Sequence, residues 1–430
     1  MWTAVAAGIG SMVGAGVFAL MGVAATMAGS AVWLSFLAAG VIALLTGHSF
    51  AQLGVRYPSR GGVIEYLAQA YRSSWFSGGS SILFYIAQLI GMAMIALAFG
   101  KFAAKLVGID ENTVFWGRML ASGLIVILSA LSLVGSDLVG KGQRAIVLFN
   151  MALLAVFTVA LSTYTQESRL AVEAWPEATP ILGSLALTFF AFTGFAVISN
   201  TAEDMENPGR DLPRAMYISI ISVTVLYVGL ALAVVASVDE EVLRSSGEML
   251  LAVAARENFG EIGYVLLLVS ALAATTTCLN AGLFGVTSIT FRLAEKGRLP
   301  ERFKREIKAS TRGLTISAAL ALLMVNFMSL TEVATLGSAV SLFVYSLVNY
   351  GALRLIKQRG VHRVLIVLSV IACVCGIMVW IFYTLNHAPR TLFIFGSFLV
   401  ISLVTEGLFQ RFQGRKIRTA NDPNKPQSGN

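Results

Sequence analysis

Three glycines, Gly10, Gly14 and Gly16, lie in the middle of the first long apolar segment of the chain. Glycine has no Cβ and weakens a helix interior by up to about 1 kcal/mol relative to alanine. In the hydrocarbon core of a bilayer, an opened backbone is tolerated only where it faces protein or a polar cavity. The N–H and C=O groups freed at such a break are therefore candidate ligands for a bound solute.

A second interruption with a glycine, 189–195, lies close to the centre of another apolar segment that begins at Ile181. If the first ten apolar segments divide into two sets of five, the two interrupted segments are the first of each set. Matched interruptions in corresponding helices indicate an inverted-repeat transporter with its site at mid-membrane. Phenylalanines at this spacing are usually lipid-facing or core residues, and we expect only one of them, Phe192 or Phe195, to cover the site as a lid.

Membrane helices are the elements that must position these residues. The chain is 57% apolar and 13% charged, with a mean hydropathy of +0.78, which excludes a water-soluble domain. Twelve segments have the length and apolar character of a membrane span: 3–26, 30–54, 77–100, 114–135, 145–164, 181–201, 215–238, 262–291, 314–330, 333–353, 364–385 and 391–408.

The distribution of basic residues agrees with this arrangement of spans. If all twelve segments span, most of the lysines and arginines share a side with the N-terminus, with the densest cluster at 292–312. The positive-inside rule then places both termini in the cytoplasm, in a multi-pass protein of the cell membrane. Loops that face anionic lipid account for the net charge of +8, so no nucleic-acid partner is required.

No separate soluble domain is visible between the spans. We expect one transmembrane domain over 1–412, with repeats at about 1–165 and 181–355 and peripheral helices at about 364–412. The remaining tail, 413–430, is basic and then rich in Asn, Pro, Ser and Gly, which is typical of a disordered cytoplasmic segment.

Four blocks of sequence resemble the amino acid/polyamine/organocation permeases, and most closely the broad-range amino-acid permeases of archaea and bacteria. They lie in the family's order at 8–18, 57–62, 190–214 and 280–300. The resemblance implies an all-α fold of the leucine-transporter type: a five-plus-five inverted repeat with discontinuous helices 1 and 6, and two peripheral helices. It also implies secondary transport of an amino acid by alternating access.

The resemblance assigns the ends of the broken helices to an amino-acid zwitterion. The N–H groups of Ala15 and Gly16 would hold its carboxylate, because a helix N-terminus carries a positive dipole end. Free backbone carbonyls would hold its ammonium group, and these belong to Met12, Phe190, Ala191 and Thr193. The alternative is that the glycines have no role in binding and only allow close helix packing through small residues.

The energy source stays open from the sequence. Proton-coupled relatives carry a lysine midway along the fifth helix, where this chain has Asn150, whose neutral amide cannot titrate near neutral pH. The resemblance allows an oxygen-lined sodium pocket formed by Gly10, Asn150, Thr276 and Thr277. Threonines in membrane helices more often bond to their own backbone, and exchange without an ion, or protonation of a residue such as His48, are further alternatives.

Other function classes are disfavoured. The chain has no phosphate-binding loop for an ATP-driven pump, and no nucleophile beside a base that would indicate an enzyme. No cofactor or metal site is expected beyond a coupling ion, sodium or a proton. A polyamine or other amine transporter, an amino-acid exchanger or exporter, and a non-transporting amino-acid sensor are the remaining alternatives, and the oligomeric state is not determined.

Overall fold

The computed structural model describes residues 1–72, 75–109, 111–134, 138–164, 166–170, 175–295, 311–356 and 360–413. The basic stretch 296–310 and all but the first residue of the predicted tail lie outside these described residues. Within them the chain is helical and contains no β-strand.

Sixteen α-helices form in the described part of the chain. The first eight are α1 (Trp2–Val13), α2 (Ala15–Ala28), α3 (Val32–Arg56), α4 (Val63–Tyr71), α5 (Trp75–Leu106), α6 (Thr113–Val134), α7 (Leu138–Ser162) and α8 (Ala178–Thr188). The last eight are α9 (Ala196–Ser199), α10 (Pro208–Ser237), α11 (Glu240–Ser245), α12 (Leu250–Glu295), α13 (Thr311–Phe327), α14 (Leu330–Leu355), α15 (Val361–His387) and α16 (Pro389–Gln413).

The apolar helices have the lengths that a bilayer requires. Ten helical stretches of the described residues are long and apolar enough to cross a membrane. The first of these, Trp2–Arg56, covers two of the twelve predicted spans, which are separated at Gly29, where φ is +53°. The shorter helix α13 covers another predicted span. Each of the twelve segments therefore coincides with helix, as expected for a multi-pass membrane protein.

Two helices form in a stretch that the apolar pattern left as a loop, 239–261. They are α11 and the first part of α12, and the latter is divided from the predicted span by Gly260, where φ is +67°. Such a conformation favours glycine. These two helices were not predicted, because the apolar pattern of 239–261 contains no segment of spanning length.

The interior of the fold is formed by paired helices. Helix α3 packs against α10, α5 packs against α12 and α14, and α1 packs against α10 and α7. Helix α15 lies against α14 and α3, while α16 lies against α5. These last two helices leave large apolar side chains exposed, among them Ile371, Phe382 and Phe393, which is typical of a lipid-facing surface.

Candidate functional site

The first helix of the bundle stops and restarts at Gly14. Helix α1 ends at Val13 and α2 begins at Ala15, while Gly14 between them has φ −51° and ψ −102°. Gly14 also faces α12 closely, because a Cβ placed on it would lie 2.6 Å from the Cβ and Sγ of Cys278. A larger residue would therefore push these helices apart.

The second interruption adopts a different backbone. Residues Phe189–Phe195 form a 3₁₀ helix between α8 and α9. Runs of 3₁₀ helix this long are uncommon and often mark a hinge or a strained sequence. Within this segment the Thr193 hydroxyl donates to the Phe190 carbonyl at 2.8 Å.

The two interrupted segments lie directly against each other. A Cβ on Gly194 would lie 2.6 Å from the carbonyl carbon and oxygen of Ser11. A Cβ on Gly16 would lie 3.0 Å from the Cα of Ala191. Their backbones touch at two places, so glycine at these positions allows a contact that side chains would prevent.

A cavity of about 430 Å³ opens beside this contact. The predicted site residues Met12, Gly16, Phe190 and Thr193 line it, whereas Ala15 and Ala191 are the chain neighbours of lining residues. Its size is within the range of small-molecule sites. The structure thus brings residues from two distant parts of the chain to one place.

Two buried tyrosines hold carbonyl groups of the interrupted segments. Tyr227 on α10 donates to the Met12 carbonyl at 2.7 Å, and Tyr345 on α14 donates to the Thr193 carbonyl at 2.9 Å. Neither tyrosine was predicted from the sequence. A buried tyrosine hydroxyl nearly always needs a partner, so a tyrosine within an apolar span was a usable signal.

Phe190 is the phenylalanine of the 3₁₀ segment that lines the cavity. The predicted lids, Phe192 and Phe195, are instead fully buried and pack against Tyr227 and Tyr345 respectively. The ring of Phe190 lies over Gly337 on α14, where a Cβ would be 2.2 Å from a ring carbon. Which phenylalanine lines the cavity is set by the packing of the 3₁₀ segment against α10 and α14, and that packing is not encoded in the local sequence.

The residues predicted for a sodium pocket divide into two groups. Gly10 and Thr277 line the cavity. Asn150 instead accepts a hydrogen bond from Ser270, which lies seven residues, or about 10 Å along α12, before Thr277. The Thr276 and Thr277 hydroxyls donate to carbonyls of their own helix, at 2.7 Å to Leu272 and 2.9 Å to Ala273.

The turn at 57–62 lies against one edge of the cavity. Gly62 has φ +43°, and a Cβ there would lie 2.1 Å from Oδ1 of Asn200, which lines the cavity. Next to it, Arg60 donates to the carboxylate of Asp204. This hydrogen bond and the attraction of the carboxylate raise the pKa of Arg60, so the guanidinium stays charged.

Comparisons with known proteins agree on one family. The family model described as "Amino acid permease" matches residues 1–404. The inner membrane transport protein YbaT of Escherichia coli is 29% identical over 413 residues, 96% of each chain. The serine/threonine exchanger SteT of Bacillus subtilis is 25% identical and covers 82% of this chain and 81% of its own. Cationic amino acid transporter 9 of Arabidopsis thaliana is 28% identical over 69% of this chain and 55% of its own.

Proposed function

The chain belongs to the amino acid permease family, and from this membership we propose that it is a secondary transporter that moves an amino acid across the cytoplasmic membrane by alternating access. The observation that carries the proposal is the cavity at which the two interrupted segments meet. A solute in this cavity lies beside backbone groups of both segments. Its release would follow from a movement of one segment relative to the other.

The zwitterion is proposed to bind mainly to backbone atoms. Its carboxylate faces the N–H groups of Ala15 and Gly16, because α2 begins there and the first N–H groups of a helix lack partners within it. Its ammonium group faces carbonyls at the other broken ends, those of Met12, Phe190, Ala191 and Thr193. Three of these already accept one side-chain hydrogen bond, and a carbonyl oxygen has a second lone pair to offer.

Helix pairing supports the proposed inverted repeat. With halves at about 1–165 and 181–355, α3 and α10 are both second spans, and α5 and α12 are both third spans. Each of these pairs packs together. A two-fold relation between the halves requires such contacts between equivalent helices near its axis. Helices α15 and α16 then lie outside the repeat, and they correspond to the predicted peripheral helices at 364–412.

The position of the cavity indicates which side is open. Four of its lining residues, Ala7, Gly10, Ser11 and Met12, come from α1, whereas α2 contributes Gly16. The far half of α2 is covered, since a Cβ on Gly22 would lie 1.7 Å from the Gly247 carbonyl oxygen. If the N-terminus lies in the cytoplasm, as proposed, this arrangement corresponds to an inward-facing state.

A coupling ion belongs to the proposal, as sodium or a proton. Gly10 and Thr277 are the predicted sodium ligands that line the cavity, and the same pocket would have to recruit Asn150 and Thr276 from their present bonds. The sodium dependence of amino-acid binding therefore tests this part of the proposal separately from the substrate.

The test begins with a thermal-shift panel of twenty amino acids and several polyamines on the purified protein, with and without sodium. A ligand at 100 times its Kd stabilises the native state by about 2.7 kcal/mol. Stabilisation by polyamines alone would favour the amine transporter, and the absence of any stabilising amino acid would refute the proposal.

Proteoliposomes then separate transport from sensing. The stabilising amino acid, supplied as a labelled compound, should enter vesicles that contain it unlabelled, by exchange. Gly16→Leu should abolish this movement because its side chain would meet Ala191, while the matched variant Gly123→Leu, which has open space around it, should retain it. Stabilisation without movement in the unmodified protein would indicate a sensor.

A further inference from the structure

The lining of the cavity is neutral throughout the described part of the chain. Its polar side chains are hydroxyls and amides, on Ser11, Gln88, Thr193, Asn200, Thr277 and Ser341. No Asp, Glu, Lys, Arg or His lines the cavity among the described residues. The other lining residues are apolar or glycine, apart from the thiol of Cys278.

The part of the cavity wall that α5 and α12 supply is mostly apolar. Helix α5 contributes Phe84, Met92 and Ile95, and α12 contributes Ala281 and Gly282. The two helices are close here, because a Cβ on Gly282 would lie 3.1 Å from Cγ of Met92. If the broken ends hold the carboxylate and ammonium groups of a substrate, its side chain extends toward this wall.

We infer that the cavity selects amino acids with uncharged side chains, an inference that rests on the proposed function. The two charges of the zwitterion face helix ends and carbonyl dipoles. A third charge on the substrate, or the second ammonium group of a polyamine, would lose its water next to neutral side chains, with no opposite charge among the described lining residues to compensate it. We expect this to weaken binding of lysine, arginine, glutamate and polyamines at least about 100-fold relative to the best neutral amino acid.

Family membership alone does not decide this point. The relatives include a protein named as a serine/threonine exchanger and another named as a cationic amino acid transporter. The neutral lining is the feature of this chain that separates the two substrate classes.

Gln88 is the side chain whose substitution should change the charge selectivity of the cavity. It lies on α5, is half-buried and lines the cavity. Gln88→Glu keeps the size of the side chain and introduces one carboxylate into the lining of the cavity. This carboxylate would supply the missing partner for a cationic side chain, so lysine and arginine should bind at least about tenfold more tightly than to the unmodified protein.

The experiment is competition against a labelled neutral amino acid on the purified protein. Competitors are leucine, methionine, serine, threonine, lysine, arginine, glutamate and putrescine. Gln166→Glu is the matched control, because it makes the same change on an exposed residue that does not line the cavity. We expect that only the neutral amino acids compete in the unmodified protein and in the control. In Gln88→Glu, lysine and arginine should compete as well.

Three results would overturn the inference. Lysine, arginine or glutamate competing within tenfold of the best neutral amino acid in the unmodified protein would do so without any variant. A folded Gln88→Glu protein that still rejects lysine and arginine would contradict charge as the basis of selection. If no amino acid of either class binds, the proposed function itself fails, which distinguishes that failure from a wrong substrate class.

Discussion

The contact between Gly194 and α1 offers the sharpest test of the site, through the substitution Gly194→Ala. Its added Cβ would lie 2.6 Å from the carbonyl carbon and oxygen of Ser11 and 2.8 Å from the nitrogen of Met12. Ordinary contacts of a Cβ begin at 3.4 Å, so the segments must separate by about 0.8 Å or more. Both obstacles are backbone and cannot rotate away.

The expected loss of stability and of affinity follows from that displacement. Overpacking of this kind costs about 1–3 kcal/mol, and the better helix propensity of alanine offsets up to about 1 kcal/mol. Ser11 and Met12 both line the cavity, so the movement also displaces groups proposed to face the substrate. We expect a lower melting temperature and a loss of amino-acid affinity of at least about tenfold, equivalent to about 1.4 kcal/mol.

The assay combines thermal unfolding in detergent with equilibrium binding of the labelled amino acid. Gly123→Ala on α6 is the matched control, because a Cβ there has nothing within 4 Å. The control should keep its affinity and gain up to about 1 kcal/mol of stability. A Gly194→Ala protein whose affinity and melting temperature both equal those of the unmodified protein would refute the proposed contact between the two segments.

Two further substitutions test individual tyrosines. Tyr227→Phe removes the donor to the Met12 carbonyl and should lower stability by about 1 kcal/mol and weaken amino-acid binding, as measured in the same two assays; an unchanged melting temperature would contradict the bond. Burial raises the pKa of Tyr71 to about 12, so its neutral phenol stabilises the fold below pH 10, and this contribution is lost as the pH rises through 12. The melting temperature should therefore fall more steeply with alkaline pH in the unmodified protein than in Tyr71→Phe, and parallel curves would exclude this effect.

Local features of the chain were sufficient to predict the membrane helices. The apolar segments have spanning length, and that property depends on consecutive residues rather than on their neighbours in space. The irregular region around Gly10 and Gly16 was also located from the sequence, and α1 ends within it at Val13. Glycine marks such positions because its weakness in a helix is a property of the residue itself.

The sequence did not predict which distant residues these segments contact. The pairing of Gly194 with Ser11 and of Tyr227 with Met12 joins residues about two hundred positions apart in the chain. Helical periodicity assigns a side chain to one face of its helix, but it does not say which helix covers that face. The same reason explains why Phe190 lines the cavity in place of Phe192 or Phe195, since the latter two pack against tyrosines of α10 and α14.

The sequence by itself therefore determined that this is a multi-pass, all-helical membrane protein of a permease type, with two segments in which the helix is irregular. Composition, length and motif order are one-dimensional properties, and they survive without knowledge of packing. Only the tertiary structure decided that the two segments touch, that tyrosines from α10 and α14 hold their carbonyls, and that the described residues lining the adjoining cavity are neutral. These features arise where distant helices meet, and close packing of the whole bundle sets those meetings.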